Sequence, residues 1–147
     1  MQFVSIFPGA SNLQRSWTST TLKQVVSLAL KFYKDAEVGI YGTKYEGDVY
    51  NDVISSFYEE LNDAKVSFLF KDFEYETLEN FIKKSEVVIS NDSGPLHIAR
   101  YYSVNSIVYS GQGHLKRFVG LQRFHLAAMP CSACTWRCRW GMVNNSY

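Results

Sequence analysis

Five short apolar runs, each closed by a small or polar turn, alternate along this chain with stretches whose apolar residues recur at helical spacing. That alternation restricts the fold more than any other feature. Phe3 to Phe7 reads as a first strand, ending at Pro8-Gly9-Ala10. Glu37 to Tyr41, stopped by Gly42, is a second, and Val66 to Phe70 a third. Val87-Val88-Ile89 ends at Ser90-Asn91-Asp92, and Ser106 to Tyr109 ends at Ser110-Gly111. Between them, Leu22, Val25, Val26, Ala29 and Tyr33 mark one helix, which Ser19 or Thr20 could cap through a hydroxyl. Val49, Val53, Ile54, Phe57 and Leu61 mark a second helix; Leu78, Phe81 and Ile82 mark a short third, running to about Lys84. A fourth starts at Pro95, a residue favoured in a first helical turn.

A strand–helix alternation of this kind implies a parallel sheet with helices on both faces, because each strand needs a crossover to return beside the last. The strands are continuous apolar runs rather than alternating ones, as expected where both sheet faces are covered. The expectation is therefore an α/β fold, a Rossmann-like parallel sheet, in a chain whose 147 residues suit one domain. The pattern decays after Gly111, and residues 112–147 read as loop and tail.

Bulk properties exclude several classes. Apolar residues are 46% and charged residues 20% of the chain, the balance of a globular domain rather than a disordered one. The formal net charge of +1 gives no reason to expect nucleic acid as a partner. No apolar run approaches the roughly 20 residues that span a bilayer, so membrane contact is expected to be peripheral at most. The first ten residues lack a basic start and an apolar stretch, which favours a cytoplasmic location. Cys131, Cys134 and Cys138 cannot all pair within one chain. Their spacing resembles a metal site, with His125 as the one candidate for a fourth ligand; the plainer reading is a loop packed by small thiols, with no metal.

In an open parallel sheet, ligands bind outside the carboxyl ends of the strands. Three loops there carry chemistry. In Ser90-Asn-Asp-Ser-Gly-Pro-Leu-His97, a buried strand meets a helix through small residues. Gly94 permits close approach of a ligand, and the N–H groups of Ser93, Gly94 and Leu96 would point from the helix N-terminus, an arrangement that binds phosphate. Asp92 would face a sugar hydroxyl or a cation, and His97 could donate to a phosphate oxygen. The alternative is that Asn91, Asp92 and Ser93 simply cap the helix.

In Pro8-Gly-Ala-Ser-Asn-Leu-Gln-Arg-Ser-Trp17, Gly9 and Ala10 permit close approach, and Ser11 offers a hydroxyl. Arg15 offers a planar fork suited to a diphosphate, or is a solvated loop charge; Trp17 reads as a packing residue under the following helix. In the third loop, Tyr41-Gly-Thr-Lys-Tyr-Glu46, Glu46 is a candidate ribose-binding acid or a plain surface acid. His114 reads as an ordinary loop residue. No Ser-His-Asp set or carboxylate pair is identifiable, so no catalytic residue is assigned within the chain.

Three segments carry a resemblance. Val87-Val-Ile-Ser-Asn-Asp-Ser-Gly-Pro-Leu-His-Ile-Ala99 resembles the signature of the heptosyltransferases, glycosyltransferase family 9. Phe7-Pro-Gly-Ala-Ser11 with Arg15-Ser-Trp17 is similar to the first loop of that family's C-terminal domain, and Pro130-Cys-Ser-Ala-Cys134 with Cys138 and Gly141 to its cysteine-bearing tail. The resemblance implies one half of a two-domain, GT-B-type glycosyltransferase. The half in hand would bind a nucleotide sugar, ADP-heptose-like, as substrate, with no cofactor. The other half would bind a lipopolysaccharide-core-type acceptor and carry an aspartate base for inverting, metal-independent transfer.

By position, Ser93, Gly94 and Leu96 would hold the diphosphate with His97 beside it, and Asp92 would contact the donor sugar or the neighbouring loop. Arg15 would replace a phosphate-binding lysine, and Glu46 would lie near a ribose-binding acid. Two departures bear on the donor. Arg15-Ser-Trp-Thr18 stands where the family commonly has Lys-Arg-Trp-Pro, and Ser110-Gly-Gln-Gly113 where it has Phe-Gly-Pro-Thr.

Because Phe3 opens the first strand, residues 1–147 read as a single donor-binding domain with the acceptor domain absent, which a separate domain or subunit would supply. The alternative is a non-catalytic or degenerate nucleotide-binding module. A flavodoxin-like signalling domain would want an acidic cluster after the first strand, and Pro8-Gly9-Ala10 is not one.

Overall fold

The structure is a computed structural model and describes residues 2–9, 16–60, 65–91 and 93–108. Five strands, β1 (Gln2–Phe7), β2 (Ala36–Gly42), β3 (Val66–Phe70), β4 (Val87–Ser90) and β5 (Asn105–Val108), form one sheet of order β3-β2-β1-β4-β5. Every pairing is parallel, with β1 in the centre: Ile6 stands beside Ile40 of β2 on one side and Ile89 of β4 on the other. The chain runs outward from β1 to β3, then returns across the sheet to β4, so β1 and β4 flank the point where the strand order reverses. The helices are α1 (Ser19–Phe32), α2 (Lys44–Val49), α3 (Asn51–Glu60), α4 (Tyr75–Lys84) and α5 (Gly94–Tyr101).

Successive strand residues point to opposite faces, and the two faces are built differently. On one, Val4, Ile6, Val38, Ile40, Val87 and Ile89 pack against Leu22, Val26 and Ala29 of α1 and Val53 and Phe57 of α3. On the other, Phe7 and Val88 pack against Ile82 of α4 and Ile98 and Ala99 of α5. Helices thus cover both faces, as the continuous apolar runs require. Each fully buried aliphatic side chain contributes about 1.5–3 kcal/mol of transfer free energy.

The second face admits polar groups. The Ser5 and Ser85 hydroxyls lie 2.6 Å apart in the interior, and Ser85 donates onward to the Phe81 carbonyl at 2.8 Å. Tyr41, also on this face, bends its ring back over Gly39, two residues earlier, where a β-carbon would strike the phenol oxygen.

Three local expectations are corrected. The cap of α1 is Thr18, one residue before Ser19, with its hydroxyl accepting from the Thr21 N–H at 3.2 Å. The single helix expected from Val49 is two helices broken at Tyr50, and Glu46 lies on the first of them rather than on a loop. A capping box starts α2 and draws Glu46 into it: the Thr43 hydroxyl accepts from the Glu46 N–H at 3.3 Å while the Glu46 carboxylate accepts from the Thr43 N–H at 2.6 Å. Helix α5 opens at Gly94, with Pro95 in its first turn. Trp17 is buried in the core, as expected.

Candidate functional site

The carboxyl ends of β1, β2 and β3 and the start of α5 enclose a cleft of about 380 Å³, within the range of small-molecule sites. Phe7 and Gly9 come from the end of β1, and Tyr41 and Gly42 from the end of β2. Thr43 and Glu46 come from α2, Lys71, Asp72 and Phe73 follow β3, and Ser93 and Pro95 belong to the β4–α5 turn. This is the crevice in which open α/β sheets bind ligands.

One wall is aromatic. The Tyr41 ring stacks on Phe81 at 4.8 Å and 18° and lies 5.3 Å from Phe7, and Phe73 meets Phe81 edge-on at 5.8 Å. The Lys71 ammonium sits 5.5 Å above the Phe73 ring. Burial raises the Tyr41 phenol above the usual tyrosine range, partly offset by its hydrogen bond to Ser5, so it stays neutral at physiological pH.

Glu46 occupies the seam between β1 and β2. A β-carbon on Gly9 would fall inside its carboxylate, and one on Gly42 would strike the same group and the Phe70 ring. Burial pushes the Glu46 carboxyl up, and the hydrogen bonds of Thr43 oppose that shift. The acid is therefore half-buried and held by its own helix cap, with one edge on the cleft, rather than a free surface charge.

The β4–α5 turn differs from a self-capped helix start. Ser93 is the N-cap residue of α5, yet its hydroxyl makes no cap hydrogen bond. The hydroxyl oxygen is buried and has no hydrogen-bond partner among the described residues. Such a group costs roughly 1–3 kcal/mol unless something satisfies it. The Asn91 side chain does not cap the helix either, since its amide donates to the Pro8 carbonyl at 2.9 Å. The Leu96 N–H is spent on the Ser93 carbonyl at 3.0 Å and its side chain is buried, so the amides open to a ligand narrow to Ser93 and Gly94. A β-carbon on Gly94 would meet nothing within 4 Å.

Of the other expected site residues, His97 is exposed on the first turn of α5 and does not line the cleft. Ala10, Ser11, Arg15 and Asp92 lie outside the described residues, as do His114, His125 and the three cysteines. Sequence reasoning passed over Tyr41, Lys71, Asp72, Phe73 and Leu78. The signal was available for the loop after β3, since the rule that ligands lie outside carboxyl ends applies to every strand. It also passed over Tyr50, whose buried phenol donates to the Trp17 carbonyl at 2.6 Å. Burial, aided by the charge of Glu46, raises that phenol above the tyrosine range, so it remains a donor. No helix among the described residues is long and apolar enough to cross a membrane.

A parallel sheet of this order, covered on both faces and open at its carboxyl ends, defines a Rossmann-like α/β domain of the kind found in GT-B glycosyltransferases. More particularly, the chain is similar in sequence and in fold to heptosyltransferases. It is 27% identical over 139 residues to lipooligosaccharide heptosyltransferase 2 of Campylobacter jejuni, covering 88% of this chain and 42% of that protein. No protein-family model matches the chain.

Among solved structures, the E. coli ADP-heptose lps heptosyltransferase II superposes with a TM-score of 0.73 at 13% identity, over 90% of this chain and 40% of the other. The E. coli heptosyltransferase WaaC with ADP gives a TM-score of 0.66 at 13% identity, over 91% and 41%. A glycosyl transferase family 9 protein from Veillonella parvula gives 0.63 at 16% identity, over 87% and 34%. The chain spans about two fifths of the length of the curated relative it matches.

Proposed function

We propose that this chain is the nucleotide-sugar-binding domain of a heptosyltransferase-like glycosyltransferase, holding an ADP-heptose-like donor for inverting transfer to a lipopolysaccharide-core-type acceptor. The observation that carries the reading is the Ser93 hydroxyl, buried and unsatisfied beside the cleft at the N-terminus of α5. A phosphate oxygen there would accept from that hydroxyl and from the Ser93 and Gly94 N–H groups, in the favourable field of the helix dipole. Two solved heptosyltransferases of this fold, one named for ADP-heptose and one holding ADP, point to the same class of donor.

In this reading Gly9, Ala10 and Ser11 pass close to the diphosphate and Arg15 clamps it. Glu46 accepts from ribose hydroxyls with the carboxylate lone pairs that Thr43 leaves free. Asp92 contacts the donor sugar, and His97, outside the cleft on the first turn of α5, reaches the phosphates only if its side chain turns toward the cleft mouth. During transfer, an acceptor hydroxyl attacks the anomeric carbon while the bond from that carbon to the diphosphate oxygen breaks, inverting the centre. Arg15 and the start of α5 stabilise the charge that gathers on the leaving diphosphate. The base that takes the hydroxyl proton belongs to the acceptor-binding half.

Calorimetric titration of the purified chain with ADP, UDP, GDP and ADP-heptose tests this, with Arg15→Ala and Gly94→Val beside it. The expected outcome is binding of adenine nucleotides, lost in both variants, with no transfer by the chain alone. Absence of binding by a folded chain would overturn the donor-site reading, and turnover by the chain alone would overturn the assignment of the base elsewhere.

A further inference from the structure

The Pro8 carbonyl is a junction that no ligand contact explains. It accepts from the Trp17 N–H at 3.0 Å and from the Asn91 amide at 2.9 Å. Because a carbonyl can only accept, the NH₂ end of Asn91 must face it. The Tyr50 phenol, 3.4 Å from the same oxygen, commits its one proton to the Trp17 carbonyl at 2.6 Å. Both backbone groups of Trp17 are thus engaged, which closes the base of the β1–α1 loop. Asn91 then ties that closed base to the β4–α5 turn, across the reversal point of the sheet. Asn91 and Tyr50 are 4% and 0% exposed and neither lines the cleft.

We infer that Asn91 is a positioning residue for the nucleotide site, an inference that rests on the donor-site reading above. Through Pro8 it sets the spacing between the two loops that grip the diphosphate, and Tyr50 sets the same junction from the α2–α3 side. A buried, charge-neutral hydrogen bond between adjacent strand ends is suited to this task. Its loss lets the loops move apart without removing any group that touches the ligand.

The test compares Asn91→Leu, Asn91→Asp and Tyr50→Phe in the full chain, well below their unfolding midpoints. It reads ADP affinity by calorimetry and hydrogen exchange at the Trp17 amide, from pH 5 to pH 8. Asn91→Leu should bind ADP about five- to tenfold more weakly at every pH, the scale of one lost buried hydrogen bond, and exchange Trp17 faster. Asn91→Asp should match that loss at pH 8, where the carboxylate opposes the carbonyl, and recover toward the parent chain at pH 5, where a protonated carboxyl again donates. Tyr50→Phe, which alters no charge, should weaken ADP and expose the Trp17 amide at every pH.

Leu and Phe variants that bind ADP like the parent, whatever their stability, would overturn the positioning role, since repulsion by an introduced aspartate could not then stand in for it. An aspartate variant with no recovery at low pH would overturn it as well. A parent chain that binds no ADP would instead overturn the donor-site reading itself, and the inference with it.

Discussion

Gly9 and Gly94 stand beside the same cleft and are glycine for opposite reasons. At Gly9 the protein itself fills the space a side chain would need, because the Glu46 carboxylate occupies the place a β-carbon would take. At Gly94 nothing stands within 4 Å of where a β-carbon would go. Among the described residues, the space beside Gly9 is therefore taken by the protein itself, whereas the start of α5 is left open and carries a buried hydroxyl with no partner. Among the described residues, that unpartnered hydroxyl marks where a bound group would complete the chain. The same substitution should hence cost stability at one glycine and binding at the other.

The largest effect is expected at Gly9. Gly9→Val drives a branched side chain into the Glu46 carboxylate and should cost roughly 1–3 kcal/mol, the range of overpacked interiors, read as a lower denaturation midpoint. Glu46→Ala removes the obstacle, so the penalty of Gly9→Ala should shrink in that background; strictly additive effects would mean the two residues do not compete for space. Gly94→Val is next and inverts the pattern. Its stability should change by no more than about 0.5 kcal/mol, since valine is no worse than glycine in a helix. Its ADP affinity should fall at least about tenfold, or 1.4 kcal/mol. An unchanged affinity would mean that the open space above α5 is ordinary solvent.

The sheet was legible because its strands are covered on both faces. In Val87-Val88-Ile89 and, apart from Ser5, in Phe3 to Phe7, cover on both faces produces nearly continuous apolar runs. The start of α2 was encoded as well, in Thr43-Lys44-Tyr45-Glu46, the spacing of a capping box. Weighing Glu46 only as a ribose ligand or a surface acid hid it. The Asn91–Pro8 bond could not be read, because it joins residues 83 apart that meet only once β1 and β4 pair. In sequence alone, Ser93 fits both a cap and a phosphate site. A serine before a helix ordinarily caps it, and the folded arrangement decides that this one does not.

That makes Ser93→Ala a sharper probe of the open side. Removing a buried, unsatisfied hydroxyl should leave the free chain as stable as before, or up to about 1 kcal/mol more stable. The same change should weaken ADP about fivefold, the net scale of one ordinary hydrogen bond. A marked loss of stability in the free chain would mean that the hydroxyl serves the fold, and the contrast with Gly9 would collapse.

The smallest effect belongs to the packed side and is read by pH. Burial raises the Glu46 carboxyl above the ordinary glutamate value, so the folded chain holds that proton to higher pH than the unfolded chain does. Stability from this group is thus fully present below the unfolded value. It declines as pH rises through the raised, folded one, and is level again above it. Glu46→Gln has no proton to lose, while its side-chain oxygen can still accept from the Thr43 N–H and keep the capping box. Melting curves of the two chains from pH 4 to pH 8 should therefore diverge as pH rises, with the parent losing ground to the variant. The divergence should stay small, because Glu46 is only half-buried and water screens the rest. Parallel curves would show that the carboxylate is better solvated than its place between Gly9 and Gly42 requires, and the packed side of the cleft would then be looser than the collision at Gly9 implies.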